Sequence, residues 1–120
     1  MKKSLFLLLL MAMTIPAMAG LKEKHVIGTW TYQADAGSET LTGTITFSNA
    51  EGMLTGEVNT DMGDFIAMTR VEIRDNNVLY FEVPTDYEVL KITVTMNKKS
   101  YEGTIASQQG EIPISGEKKK

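Results

Sequence analysis

From residue 26 onward the chain alternates large apolar and polar side chains in short runs with a period of two, and it does so eight times. A period of two sends successive side chains to opposite faces of a strand, so each run predicts a half-buried β-strand. The first run, Val26-Ile27-Gly28-Thr29-Trp30-Thr31-Tyr32-Gln33, has Val26, Trp30 and Tyr32 in one phase, with Gly28 among them. Thr29, Thr31 and Gln33 occupy the other phase, and Ile27 is the exception. The second run, Leu41 to Ser48, sets Leu41, Ile45 and Phe47 against threonines, and the third, Met53 to Thr60, keeps Leu54, Gly56 and Val58 in phase. The fourth, Phe65 to Arg74, groups Phe65, Ala67, Val71 and Ile73 opposite Arg70, Glu72 and Arg74. Ile66 and Met68 fall on its polar side, which predicts a bulge or a local apolar surface patch. The last four runs are carried by Leu79, Phe81 and Val83; by Leu90, Ile92, Val94 and Met96 within Glu88 to Asn97; by Tyr101, Gly103 and Ile105; and by Ile112, Ile114 and Gly116. Turn-forming Asn, Asp, Gly, Ser and Pro separate the runs, and no stretch after the leader has helical periodicity.

Short strands joined by short links predict an antiparallel meander. A meander leaves two exposed edges unless it closes, and closing into an up-and-down barrel removes both. Gly28, Gly43, Gly56, Gly103 and Gly116 lie in the apolar phase of the first, second, third, seventh and eighth runs. Those strands are neighbours only if the eighth pairs with the first, and side-chain-free positions there let a sheet coil tightly. The expected fold is therefore all-β: a single eight-stranded antiparallel up-and-down β-barrel, the size whose interior is filled by side chains or by one small ligand. An outer-membrane barrel turns its apolar phase to lipid and keeps a polar lumen. Here the other phase is dense in Thr, Glu, Lys and Arg, which fits a barrel with an apolar inside.

The chain of 120 residues allows one domain. Lys2 and Lys3, the apolar stretch Leu5 to Met13 and Ala17-Met18-Ala19 ahead of Gly20 have the order of a secretory signal peptide. Residues 1–19 are expected to be cleaved and residues 20–120 to form the barrel domain, located in the periplasm or secreted. The apolar stretch is too short to span a bilayer as a helix. Cysteine is absent, so neither a disulfide nor a lipidated cysteine is available, and the domain must be held by burial alone. Without Lys2 and Lys3, ten basic residues face fifteen acidic ones, a net charge of −5. That balance argues against nucleic acid, whose phosphates need a basic surface.

Gly28-Thr29-Trp30 on the first strand of such a meander resembles the Gly-x-Trp signature of the calycin group, which spans lipocalins, fatty-acid-binding proteins and avidins. The nearer likeness is to the short lipocalin-like proteins exported by Bacteroidetes-type bacteria. The resemblance implies a barrel with an interior site for a small apolar ligand. In lipocalins a basic residue at the end of the last strand lies over the tryptophan, and Lys118 is the position that matches it. The chain departs from lipocalins in its shortness, in the missing arginine and in the missing C-terminal helix. Thr85-Asp86-Tyr87 matches a second lipocalin tripeptide but stands in another interval.

Catalysis has little to work with. His25 is the single histidine and precedes the first strand, so no nucleophile–histidine pair can form at a barrel mouth, and no enzymatic activity is expected. One histidine and no cysteine exclude a zinc site, and Asn59, Asp61 and Asp64 lack the spacing of a calcium loop. No cofactor is expected. Up-and-down connectivity sorts the loops into two ends. One end gathers Asp35, Glu39, Asp61, Asp64, Asp86, Glu88 and Glu111 with no Lys or Arg; the other holds Lys22, Lys24, Lys98, Lys99 and Lys118 to Lys120. Two functions follow. In the first, a small apolar or amphipathic ligand enters at the acidic mouth and meets Trp30, Tyr32, Phe65, Phe81, Tyr87 and Tyr101. In the second, the core is solid and Asp35, Glu39, Asp61, Asp64, Asp86 and Glu88, or the Ile66/Met68 patch, dock an envelope or extracellular protein. A purely structural accessory domain is the third.

Overall fold

The computed structural model describes residues 21–119, and the leader expected over residues 1–19 lies outside the described residues. A short helix, α1 (Glu23–Val26), precedes nine strands: β1 (Gly28–Asp35), β2 (Thr40–Ala50), β3 (Met53–Thr60), β4 (Phe65–Ala67), β5 (Arg70–Arg74), β6 (Val78–Pro84), β7 (Val89–Met96), β8 (Ser100–Ser107) and β9 (Gly110–Glu117). They form one antiparallel sheet in the order β4-β3-β2-β1-β9-β8-β7-β6-β5. The sheet curls through 272° into a half-barrel. The first and last strands pair as the glycine pattern requires: Gln33 opposes Ser115, Ala34 opposes Ile114, and an isolated bridge joins Trp30 to Lys118.

The meander opens elsewhere. The fourth sequence run is broken at Met68-Thr69: β4 pairs with β3, through Val58 opposite Ile66, while β5 pairs with β6, through Val71 opposite Phe81. Met68 N–H donates to the Gly56 carbonyl and Thr69 N–H to the Glu82 carbonyl, so two consecutive residues carry the chain from one side of the gap to the other. The break also shifts the side-chain phase. Ile66 and Met68 pack against the core together with Val71 and Ile73, whereas Phe65 and Ala67 turn outward. Phe65 is 60% exposed, which corrects its expected inward placement, and Ile66/Met68 form no surface patch. The irregularity signalled by those two residues is an inserted step in the strand, not a greasy spot outside it.

The base of the half-barrel is plugged. Val26, expected to begin the first strand, is instead the fully buried last residue of α1, and its carbonyl accepts the Trp30 indole N–H at 2.9 Å. Gly28, with φ +136°, makes the turn from α1 into β1. A Cβ at Gly28 would stand 2.9 Å from Lys118 Cε, so the missing side chain also leaves the path along which Lys118 reaches Trp30. Its Nζ lies 5.4 Å from the indole centroid. Trp30, Phe81, Ile45, Leu79 and Val94 form the centre of the core, with edge-to-face contacts between Trp30 and Tyr101 at 5.8 Å and between Phe47 and Phe81 at 5.5 Å.

Candidate functional site

Hairpin connectivity collects four links at one end, which we call the mouth: residues 36–39, 61–64, 85–88 and 108–109. These links and their flanks carry Asp35, Glu39, Asp61, Asp64, Asp86, Glu88 and Glu111 and no Lys or Arg. Tight turns shape them. Asp35 accepts the Gly37 N–H, the Thr60 hydroxyl accepts the Asp64 N–H, and the Thr85 hydroxyl accepts N–H bonds from both Tyr87 and Glu88. The side chains not used in these turns project outward. Among the described residues, the large apolar groups left exposed are Leu41, Met53, Met62, Phe65, Tyr87 and Val89. All but Met53 lie at the mouth, with Met62 and Tyr87 each 88% exposed. Carboxylates and exposed apolar groups thus share one rim. The opposite end is mixed, since Glu23, Glu51 and Asp75 sit among its lysines and Glu23 accepts a hydrogen bond from the Asn49 amide.

Inside the rim a pocket of about 180 Å³ enters the apolar interior between Tyr32, Ala34, Leu41, Thr60, Ile66, Thr85 and Leu90, with Phe81, Ile105 and Ile114 deeper in its wall. Alternation brings these residues inward from β1, β2, β3, β6, β7, β8 and β9, and the phase shift at Met68-Thr69 adds Ile66. Burial and, secondly, the nearby Asp61 carboxylate hold the Tyr32 phenol above its ordinary pKa, so it stays protonated. Asp61 is itself fixed by the Thr42 hydroxyl. A larger groove of about 850 Å³ lies on the outside, over the β1–β9 seam, among outward side chains such as Thr31, Gln33, Thr44, Glu102 and Ser115. It is open, polar and set on the outer face of the sheet, so the mouth pocket is the candidate for an apolar ligand.

The six aromatic positions singled out in the sequence divide into three groups. Trp30, Phe81 and Tyr101 are buried in the core, and of these Phe81 alone reaches the pocket wall. Tyr32 is half-buried and lines the pocket, while Phe65 and Tyr87 stand on the rim. Asp35, Glu39, Asp61, Asp64, Asp86 and Glu88 are brought to the same rim, where Glu88 also accepts the Gln108 N–H at 2.7 Å across two hairpins. Sequence reasoning missed Ile66 as a wall residue. Its signal was the apolar pair standing out of phase. Among the described residues, no group of three His, Cys, Asp or Glu is placed to hold a metal ion.

No family model and no curated protein matches the chain. Solved structures do. A redesigned β-barrel aligns with a TM-score of 0.58 at 12% identity, over 82% of this chain and 94% of the other. A de novo designed fluorescence-activating β-barrel aligns with a TM-score of 0.58 at 15% identity, over 81% of this chain and 96% of the other. The fold is β-barrel-like. At such identities the likeness shows the fold and nothing of the chemistry.

Proposed function

We propose that this is an exported, non-enzymatic binding module that takes a small apolar or amphipathic ligand into its mouth pocket. The observation that carries the reading is the pocket itself, walled by Ala34, Leu41, Ile66 and Leu90 and opening toward solvent through the rim. Its roughly 180 Å³ is comparable with the cavity of about 150 Å³ that accepts a benzene ring in an engineered protein core. The ligand portion inside is thus a single ring or a short alkyl chain, smaller than the drug-sized occupants of roughly 300 Å³ sites. The lipocalin-like position of Lys118 over Trp30 supports the same reading.

A thermal-shift panel of toluene, 1-hexanol and octanoic acid tests it. A ligand present at about ten times its Kd adds about 1.4 kcal/mol, or a rise of about 7 °C for a domain of this size. At least one compound is expected to reach that shift. Ala34→Phe, which places a ring in the pocket, is expected to abolish it while the far-UV spectrum stays unchanged. Absence of any shift in the wild-type protein would overturn the reading.

A second reading is favoured by Met62, Phe65 and Tyr87, which project beyond the pocket. With the acidic rim they offer a docking surface for an envelope or extracellular protein. Capture from envelope extracts with wild type and with Asp61, Asp64 and Asp86 changed to Lys separates the two readings. Docking predicts different partner profiles, and ligand binding alone predicts the same.

A further inference from the structure

Outward side chains around the β1–β9 seam stand in two rows that cross the strands. In the first row Thr42 opposes Gln33, Gln33 opposes Ser115, Ser115 opposes Glu102 and Glu102 opposes Thr95. Asp61 extends it, donating its N–H to the Thr42 carbonyl and accepting the Thr42 hydroxyl. The second row lies two residues along each strand: Thr44, Thr31, Glu117, Ser100 and Asn97. Both rows line the outer groove of about 850 Å³. A coiled sheet is hyperboloid, so its outer surface is concave along the strands, and the rows cross that waist.

Short, mostly neutral polar groups are concentrated here. The outward face of β5 and β6 carries Arg70, Glu72, Arg74 and Glu82 joined in ion pairs instead. The fifteen residues lining the groove include no Lys, no Arg and no aliphatic side chain. Asp61 is tied to Thr42, Glu117 to Thr31 and Tyr101 to Thr31. Among the described residues, Gln33, Ser115, Glu102 and Thr95 take part in no side-chain hydrogen bond. Four successive groups of the first row are therefore unspent, one per strand at the interstrand step of roughly 4.8 Å.

We infer that this groove binds a neutral, β-linked oligosaccharide lying across the strands, with about one sugar ring to each. Hydroxyls of Ser and Thr both donate and accept, the Gln33 amide does so with two atoms, and the Glu102 carboxylate accepts from two sugar hydroxyls at once. An anionic chain would meet Asp61, Glu102 and Glu117 with no cation to offset them. An apolar one would leave the rows unpaired. Tyr32 and Tyr101 turn their rings inward, so hydrogen bonds rather than stacking supply the affinity, and it must grow with the number of strands spanned. The groove and the mouth pocket open on opposite faces of the sheet, and neither reading depends on the other.

Cellohexaose, cellobiose, hexagalacturonate and tetralysine, each titrated to about 10 mM and followed by amide NMR, test the inference. Cellohexaose is expected to shift Gln33, Ser115, Glu102 and Thr95 with a millimolar Kd, at least tenfold tighter than cellobiose. Added NaCl should change that Kd less than twofold, because the ligand is neutral. Hexagalacturonate is expected to leave these signals in place. Ser115→Lys, an outward substitution that lays a long side chain across the row, should abolish binding, and Ser115→Thr should retain it. Glu102→Gln should weaken binding severalfold, and Lys91→Gln, outside the groove, should not change it. Absence of shifts with cellohexaose would overturn the inference. So would shifts spread equally over β5 and β6, the mark of unspecific contact. Binding of tetralysine without cellohexaose would assign the groove to a basic peptide and overturn it as well.

Discussion

At the scale of single residues, the sheet is shaped by glycines set beside aromatic rings. Tyr32 opposes Gly43, Tyr101 opposes Gly116, and Phe47 is flanked by Gly28 and Gly56. Each ring lies over a neighbouring backbone that carries no Cβ, which lets strands coil while the glycine's bare surface stays covered. Gly116 shows the dependence most directly. A Cβ there would overlap the Thr31 carbonyl and stand 2.7 Å from the Tyr101 hydroxyl, the group that donates to that carbonyl at 2.8 Å. The Glu117 N–H donates to the Thr31 hydroxyl at 3.0 Å, so side chains take over part of the ladder at the seam. Gly116→Ala is expected to cost about 1–3 kcal/mol in urea denaturation, and a neutral result would show that the seam is looser than this.

Tyr101 gives a second prediction at the same scale. Burial first, and Tyr32 second, push its phenol above the ordinary value of 10.0. A group whose folded pKa is raised contributes stability in full below its unfolded pKa and loses that contribution as pH climbs toward the folded one. The wild type should therefore lose stability above pH 10 faster than Tyr101→Phe. At neutral pH the variant is expected to be about 1 kcal/mol weaker, for want of the Thr31 hydrogen bond. By pH 11 that advantage should be largely gone. Parallel urea curves for the two proteins from pH 8 to 11 would contradict the burial of this hydroxyl.

At the scale of elements, the split of β4 from β5 decides which side chains face in. Period-two reasoning assigned most strands correctly because their polar threonines and apolar aliphatics alternate without interruption. It misassigned the mouth half of the fourth run. There Phe65, Ile66, Ala67 and Met68 are all apolar, so either phase satisfies hydropathy, and the kink at Met68-Thr69 is fixed by hydrogen bonds to Gly56 and Glu82 on two different strands. Such long-range partners leave no local trace. The same holds for α1: Val26 alternates correctly with Gly28 and Trp30 yet belongs to the plug, because the indole N–H needs a buried acceptor and the Val26 carbonyl supplies it. A pair of substitutions reads the phase. Phe65→Thr is expected to change stability by less than about 0.5 kcal/mol, and Ile66→Thr to cost about 1–2 kcal/mol. Equal costs, or the reverse order, would restore the uninterrupted strand.

At the scale of the molecule, one topological fact organises the rest. Because β9 returns to β1, the four links bearing Asp35 through Glu111 meet at one end, and the pocket they surround reaches the apolar interior. The acidic rim was legible from loop order and composition alone. The pocket's size was not, since it is the small remainder after Trp30, Phe47, Phe81 and their neighbours have packed. The exposed cluster of Met62, Phe65 and Tyr87 was equally hidden, because exposure is set by how each turn projects its side chains.

The absence of native cysteine makes the β1–β9 union directly measurable. Gln33 and Ser115 are paired residues, so Gln33→Cys/Ser115→Cys under mild oxidation is expected to form an intramolecular disulfide in nearly every molecule. Closing so long a loop should raise stability by up to about 4 kcal/mol. Gln33→Cys/Thr55→Cys, with Thr55 placed on β3, should remain reduced or link between molecules. A Gln33–Ser115 pair that stays reduced, or that cross-links only between chains, would contradict the closure on which the mouth and its ligand depend.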